Sequence, residues 1–244
     1  MQLLEISIKK PENITLFSTM RVAGNSLAPY DKGNLALHVN DQAKHVKANR
    51  QALLKTLGCQ SIHWLNQTHS NRVLNLDHSH HHDADASYST CPGQACTVLT
   101  ADCVPVLLFD QYWQEVAAIH AGWRGLASGI IANTVMQFRA KTDNLIAWIG
   151  PCIHMPSYEV NQTLLHQFTA ISEDYRAFFH SLNQNIHADL PGIAQYQCQI
   201  LGVGKVYVSP YCTYSMNHLF YSYRRNQNTG RQATGILIHA PRKG

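Results

Sequence analysis

Residues 97–125 read TVLTADCVPVLLFDQYWQEVAAIHAGWRG, and this stretch decides the fold. Two apolar runs, Thr97–Leu99 and Val104–Phe109, read as strands on either side of Asp102-Cys103. Pro105 lacks a ladder donor, which predicts an edge or a bulge at the cysteine. A third run, Glu115–His120, reads as strand and enters the turn Ala121-Gly122-Trp123-Arg124-Gly125. Beyond the turn, Leu126, Ile130, Ile131, Val135 and Phe138 recur on one face of a helix.

Outward from this centre the pattern stays mixed. Asp41–Leu57 predicts a helix with Val46, Leu53, Leu54 and Leu57 inward and Gly58 as its stop. Met1–Lys10 reads as the first strand, Ile62–Leu65 as a short one, and Leu145–Ile149 as another, stopped by Gly150-Pro151. Leu164, Leu165, Phe168 and Ile171 predict a helix. So do Ile193, Tyr196, Ile200 and Leu201, opened by Asp189 and Pro191 and closed by Gly202. Val206–Val208 and Gly235–His239 look like closing strands. Strands and helices without strict alternation predict one α+β domain over residues 1–244, with mixed β-sheets flanked by helices.

Composition supports a sizeable core: 45% of the 244 residues are hydrophobic and 14% charged, a balance unlike that of disordered chains. The net charge of +4 is spread along the chain, with no basic run of the kind that binds nucleic acid or a membrane surface. It favours a small anionic substrate. No apolar segment reaches the length of a membrane span, and no signal-peptide core precedes Lys9 and Lys10. Seven cysteines without a disulfide spacing read as reduced thiols, so the expected compartment is the cytoplasm. Of the 15 histidines, His78, His80, His81 and His82 cluster beside Asp83 and Asp85. This cluster reads as a solvated loop, since one His-X-His pair cannot build a multicopper centre.

His69, Cys103 and His120 each end or interrupt an apolar run, where a side chain can leave the sheet and enter a cleft. Their separations of 34 and 17 residues fit no zinc-finger spacing. Three such donors would leave a fourth position open on a zinc ion, the arrangement of a catalytic site. Packing roles for the same three side chains also satisfy the pattern. In the turn after His120, Gly122 and Gly125 allow close backbone approach. Arg124 and the N–H groups of the following helix could there hold a phosphate.

Several blocks follow one another in the order of a known family. They are Gln67-Thr68-His69, Thr100-Ala101-Asp102-Cys103-Val104-Pro105 and His120-Ala121-Gly122-Trp123-Arg124-Gly125. Gly150-Pro151-Cys152-Ile153 with Tyr158-Glu159-Val160 comes next, and then Phe220–Arg225 with Thr229-Gly230-Arg231-Gln232. Together they resemble the YfiH-like family over nearly the whole chain. The segment from Arg21 through Asn34-Leu35 to Asn49-Arg50 matches more loosely. Ala23-Gly24-Asn25 replaces the usual Gly-Gly pair, and His154–Pro156 also departs from the pattern.

The resemblance implies a fold shared with the catalytic domain of cytotoxic necrotising factor toxins, and zinc, in preference to copper, on His69, Cys103 and His120. It implies a purine nucleoside phosphorylase acting on adenosine, inosine and methylthioadenosine with phosphate, with adenosine deaminase as a second activity. Cys103, His120, Asp102 and Arg124 are then the expected catalytic residues. Arg21, Gln67, Arg124, Arg224 and Arg231 are expected at the substrate, and Asp102 as a proton shuttle or as the partner that orients a histidine. Cys152 and Cys212 read as packing residues. The family's older labels leave two other readings open, a peptidoglycan-precursor editing factor and a copper polyphenol oxidase, and the toxin-like fold suggests a third, a cysteine hydrolase with Cys103 as nucleophile and His120 as base.

Overall fold

The runs Val104–Asp110, Val116–Ala121 and Leu145–Ile149 are buried at every residue. A strand apolar on both faces needs a layer against each of them. The computed structural model describes residues 1–240 apart from 79, 80, 111 and 113. The first strands are β1 (Ile14–Ser18), β2 (Ser61–Ile62), β3 (Val73–Asn75), β4 (Ala86–Ser89), β5 (Gln94–Thr100) and β6 (Val104–Asp110). After them come β7 (Val116–Ala121), β8 (Leu145–Ile149), β9 (Glu159–Val160), β10 (Phe179–Leu182), β11 (Asn185–Ala188), β12 (Lys205–Val208) and β13 (Gln232–Ile238). The helices are α1 (Ala43–Leu57), α2 (Trp123–Ala127), α3 (Ile130–Val135), α4 (Gln162–Thr169) and α5 (Leu190–Ile200).

Among the described residues, a six-stranded sheet runs β12-β8-β6-β7-β4-β3 and a four-stranded sheet runs β1-β13-β5-β2. A small sheet, β10-β11-β9, stands apart from both. Side-chain alternation assigns the layers. Val104, Val106, Leu108, Ile119 and Ile149 face α2, α3 and α5 through Leu126, Ile130, Ile131, Ile193 and Ala194. Their alternates Leu107, Phe109, Val116 and Trp148 meet Ile14, Val98 and Ile236 of the four-stranded sheet. That sheet's far face carries Phe17, Leu99 and Leu237 against Leu53 and Leu57 of α1. The order is therefore helices, sheet, sheet, helix. Each large apolar side chain buried between the layers contributes roughly 1.5–3 kcal/mol relative to exposure.

The mixed α+β architecture is the one expected, with local corrections. Pro105 is not at an edge, because β6 lies between β8 and β7. It pairs with His120 of β7, and its nitrogen faces the β8 side at Gly150, just past the end of that strand at Ile149, where the ladder has already stopped. Residues 1–10 form only a bridge, Leu3 to Thr19. Leu4, Ile6 and Ile8 use their alternation to pack on the inter-sheet core instead of joining a ladder. Of Ile62–Leu65 only Ile62 lies in a strand. The helix after the turn is two helices, broken at Gly129, whose φ is 84°. Leu126, Ile130, Ile131, Val135 and Phe138 are nonetheless all buried. Ile171 lies past the end of α4 and Ile200 on the flank of α5, so both are exposed. The buried stripe of α5 is Leu190, Ile193, Ala194, Gln197 and Cys198. Among the described residues no helix is long and apolar enough to cross a membrane.

Candidate active site

Three loops at one end of the six-stranded sheet converge. Residues 101–103 carry the chain from β5 in one sheet to β6 in the other. Asp102 turns that corner with φ of 99°, a strained conformation for a non-glycine residue, costing on the order of 1–3 kcal/mol. Its buried carboxylate offsets the strain. One oxygen accepts from Thr213 Oγ1 at 2.7 Å, the other from Ser222 Oγ at 3.0 Å and from the Arg224 N–H at 2.6 Å. His120 is the penultimate residue of β7. His69 sits in a loop with φ of 60°. Gln67 ties that loop to β5: its amide nitrogen donates to Leu99 O at 2.8 Å and its oxygen accepts from Leu99 N–H at 2.7 Å.

The folding brings His69, Cys103 and His120 together, with their ligand atoms within 4.8 Å of one another. Cys103 Sγ lies 3.7 Å from His69 Nε2, close to the roughly 3.5 Å expected between two donors of one tetrahedral zinc ion. The residue that fixes the geometry is Asp85. It is fully buried, and its Oδ1 meets His120 Nδ1 at 2.8 Å and the His69 N–H at 3.0 Å. Its Oδ2 accepts from Ser70 Oγ and Ser70 N–H, both at 2.7 Å. An acceptor on Nδ1 leaves Nε2 of His120 to face the other two donors. Two imidazoles, one thiol and a buried carboxylate behind them fit a metal ion. Gly122 completes the centre, since a Cβ there would stand 2.9 Å from His69 Cδ2.

The charges agree with this role. Burial alone would raise the Cys103 thiol, but the charge and hydrogen bond of His120, then His69, bring it down to about 6. Burial would lower His120, yet the Cys103 thiolate and the hydrogen bond to Asp85 push it up to about 9. Asp85 is held at about 2, because hydrogen bonds from His120 and Ser70 outweigh its burial. The shifts favour a thiolate–imidazolium pair at Cys103 and His120, and a bound metal ion would take the place of the imidazolium proton.

The donors open into a cavity of about 470 Å³. Trp123, Tyr158 and Tyr223 give it aromatic walls, and Arg124, Arg224 and Arg231 bring positive charge. Each guanidinium stacks on one of those rings: Arg124 on Trp123 at 4.2 Å, Arg224 on Tyr158 at 4.7 Å and Arg231 on Tyr223 at 5.6 Å. Four expectations change in the folded chain. Arg21 does not line the cavity; it binds Asp31 Oδ2 at 3.0 Å and lies over Tyr221. Gln67 lines it, but its amide is committed to Leu99. The histidine is oriented by Asp85 and not by Asp102, whose oxygens hold the corner. Arg124 lies inside α2 and not in a turn before it, and that helix has only five residues, too short to add much dipole to an anion site. Arg225 donates to the carbonyls of Thr213, Tyr214 and Phe220 and is structural. Cys152 and Cys212 are buried, joined by a bridge between their backbones.

His78, His81 and His82 are exposed as expected, and His80 lies outside the described residues. Sequence reasoning passed over Asp85, His38, Trp123, Tyr158 and Tyr223 as site residues. Asp85 stood beside the histidine cluster, but it is 35 residues from His120, and nothing in the spacing marks that pairing.

Residues 15–239 match the family model described as multi-copper polyphenol oxidoreductase laccase. The chain belongs to this YfiH-like family. It is 39% identical over 241 residues to a Haemophilus influenzae protein named purine nucleoside phosphorylase, covering 97% of this chain and 99% of that one. Over 232 residues it is 39% identical to the Escherichia coli family member named purine nucleoside phosphorylase YfiH, covering 94% and 96%. A solved Neisseria meningitidis structure of the DUF152 family superposes with a TM-score of 0.93 at 35% identity, covering 98% and 99% of the two chains. Bacillus licheniformis YfiH superposes with a TM-score of 0.85 at 27% identity, covering 92% of each. The relatives' names support an enzyme, and the His-Cys-His cluster supports a metal in it.

Proposed function

We propose that the chain is a zinc-dependent purine nucleoside phosphorylase. It converts adenosine, inosine or methylthioadenosine with phosphate to free base and ribose 1-phosphate, and it deaminates adenosine as a second activity. The observation that carries this reading is that one cavity holds three open-site donors, three arginines and three aromatic rings. Its volume of about 470 Å³ lies within the usual range for small-molecule sites. The rings of Trp123, Tyr158 and Tyr223 offer faces for a purine. Arg124 clamps phosphate in bidentate fashion, with Arg224 and Arg231 adding to the field. Holding the two reactants in line lowers the barrier chiefly through orientation and charge. Asp102 acts as a positioning residue, because its strained corner aims Cys103. Bound zinc would supply Lewis acidity and a position for an activated water.

Zinc is favoured over copper by the donor set. Among the described residues one group of three His, Cys, Asp or Glu converges, which falls short of type-one plus trinuclear copper centres. The thiolate character of Cys103 favours a second reading, a cysteine hydrolase with His120 as its base.

The test is protein purified without added metal, analysed for metal and incubated with adenosine and inosine, with and without phosphate. Free base and ribose 1-phosphate should appear in equal amounts and only with phosphate, and ammonia from adenosine without it. Zinc should be stoichiometric and absent from Cys103→Ala. A metal-free, active protein would favour the hydrolase, and free base released equally without phosphate would sink the phosphorylase reading.

A further inference from the structure

Breaking the bond between C1′ and N9 leaves its electron pair on the purine, and a purine anion departs slowly unless it is protonated. The cavity must therefore hold an acid. His69, Cys103 and His120 are committed to the metal, and both carboxylate oxygens of Asp102 are taken by Thr213, Ser222 and Arg224. Guanidinium groups stay charged, and burial pushes the Tyr158 phenol up to about 12. Two ionisable side chains on the wall remain: Tyr223, whose ring carries the Arg231 guanidinium, and His38, which has no role yet.

His38 follows a loop stitched in place from three sides. Asn34 is fully buried, and its Oδ1 accepts the N–H groups of Ala36 at 3.0 Å and Arg231 at 2.9 Å. Leu35 N–H donates to Arg231 O at 3.2 Å, and Arg50 Nε donates to Leu35 O at 2.9 Å. Ala36, two residues before the histidine, is fully buried. His38 itself is exposed, and from this anchored backbone it lines the cavity within reach of the Arg231 charge.

We infer that His38 is the general acid of the phosphorolysis, giving its ring proton to the departing purine; this rests on the phosphorylase reading. A phosphate oxygen bonds to C1′ as the C1′–N9 bond breaks, the pair of that bond stays on the purine, and the His38 proton moves to purine N7. Hydrogen phosphate loses its own proton on becoming the ester, and that proton restores His38 through solvent. Partial burial, then the charges of Arg231 and Arg50, hold the imidazole below its ordinary pKa, so its protonated form is a stronger acid but a less populated one at neutral pH.

The experiment compares wild type, His38→Ala and His38→Gln on inosine and on 7-methylinosine, each with phosphate. The methylated base is already cationic and leaves without a proton. In both variants kcat on inosine should fall roughly 10²- to 10⁴-fold, the range of a general acid, while kcat on 7-methylinosine stays within about threefold. Metal content and KM should hold near wild type. Equal losses on the two substrates, or an unchanged rate on inosine, would overturn the assignment while wild-type phosphorolysis leaves the phosphorylase reading standing. Wild type that yields ribose 1-phosphate from neither substrate would overturn both.

Discussion

Replacing Gly122 by alanine should loosen the metal centre while leaving the fold intact. Gly122 has φ of −65° and ψ of 164°, a region that alanine enters freely, so the substitution adds no backbone strain. The new Cβ would stand 2.9 Å from His69 Cδ2 and 3.2 Å from Cys103 Sγ, where ordinary contact begins at 3.4 Å. The His69 ring must retreat by about 0.5 Å, and metal–ligand distances tolerate only about 0.2 Å. The backbone of His69 cannot follow, because its N–H is held by Asp85. Losses of roughly 10- to 100-fold in metal affinity are typical when a ligand is misaligned, or about 1.4–2.8 kcal/mol. Competition with a chromogenic zinc chelator measures this directly, and the urea midpoint of the metal-free protein reports on the fold. Gly125→Ala is the comparison, because its Cβ would meet Ile130 Cγ2 at 3.2 Å and no donor atom. Affinity within twofold of wild type in Gly122→Ala, or an equal loss in Gly125→Ala, would refute the steric argument.

Asp85→Ala should lower zinc affinity roughly 10- to 100-fold, because His120 loses its acceptor and the His69 loop its anchor; isothermal titration with zinc checks it. Arg124→Ala should slow phosphorolysis roughly 30- to 1,000-fold and raise the phosphate requirement, while adenosine deamination falls much less. An equal loss of both activities with zinc retained would make Arg124 a nucleoside-binding or structural residue. Glu115 is a buried carboxylate; burial raises its pKa, but hydrogen bonds from Tyr88, Arg139 and Ala140 outweigh this and hold it below the ordinary value. Its stabilisation is therefore present above the unfolded-state pKa, about 4.3, and is lost as pH falls through the folded pKa. Glu115→Gln should cost about 1–3 kcal/mol at pH 7, with urea midpoints converging on wild type toward pH 3; a pH-independent difference would count against the assignment.

The layered fold was legible because its rule is local. Strands such as Val104–Asp110 are apolar up to their last residue, α1 (Ala43–Leu57) carries its stripe and its glycine stop, and Asp189 with Pro191 announces α5. Where the reading slipped, a neighbour in space had decided the matter. Pro105 is tolerated in a central strand because its nitrogen faces the β8 side at Gly150, just past the end of that strand at Ile149, where the ladder has already stopped. Ile200 falls outside the core because α5 presents a different stripe to the sheet.

For the site, sequence alone supplied the donor types, the glycines of the turn and the arginines, since chemistry restricts which residues can bind metal or phosphate. It could not tell which arginines share a cavity. Arg21 and Arg225 spend their guanidinium groups on Asp31 and on backbone carbonyls, but Arg224 and Arg231 also donate to backbone carbonyls, of Glu159 and of Thr229 and Gly230, and Arg21 also lies over a ring. What separates them is that Arg124, Arg224 and Arg231 line the cavity with the metal donors, whereas Arg21 and Arg225 do not. Nor could it join Asp85 to His120 or His38 to the wall. Those pairings depend on where loops from separate sheets end, and the chain sets that only when its two sheets pack and the corner at Asp102 is locked by Thr213, Ser222 and Arg224.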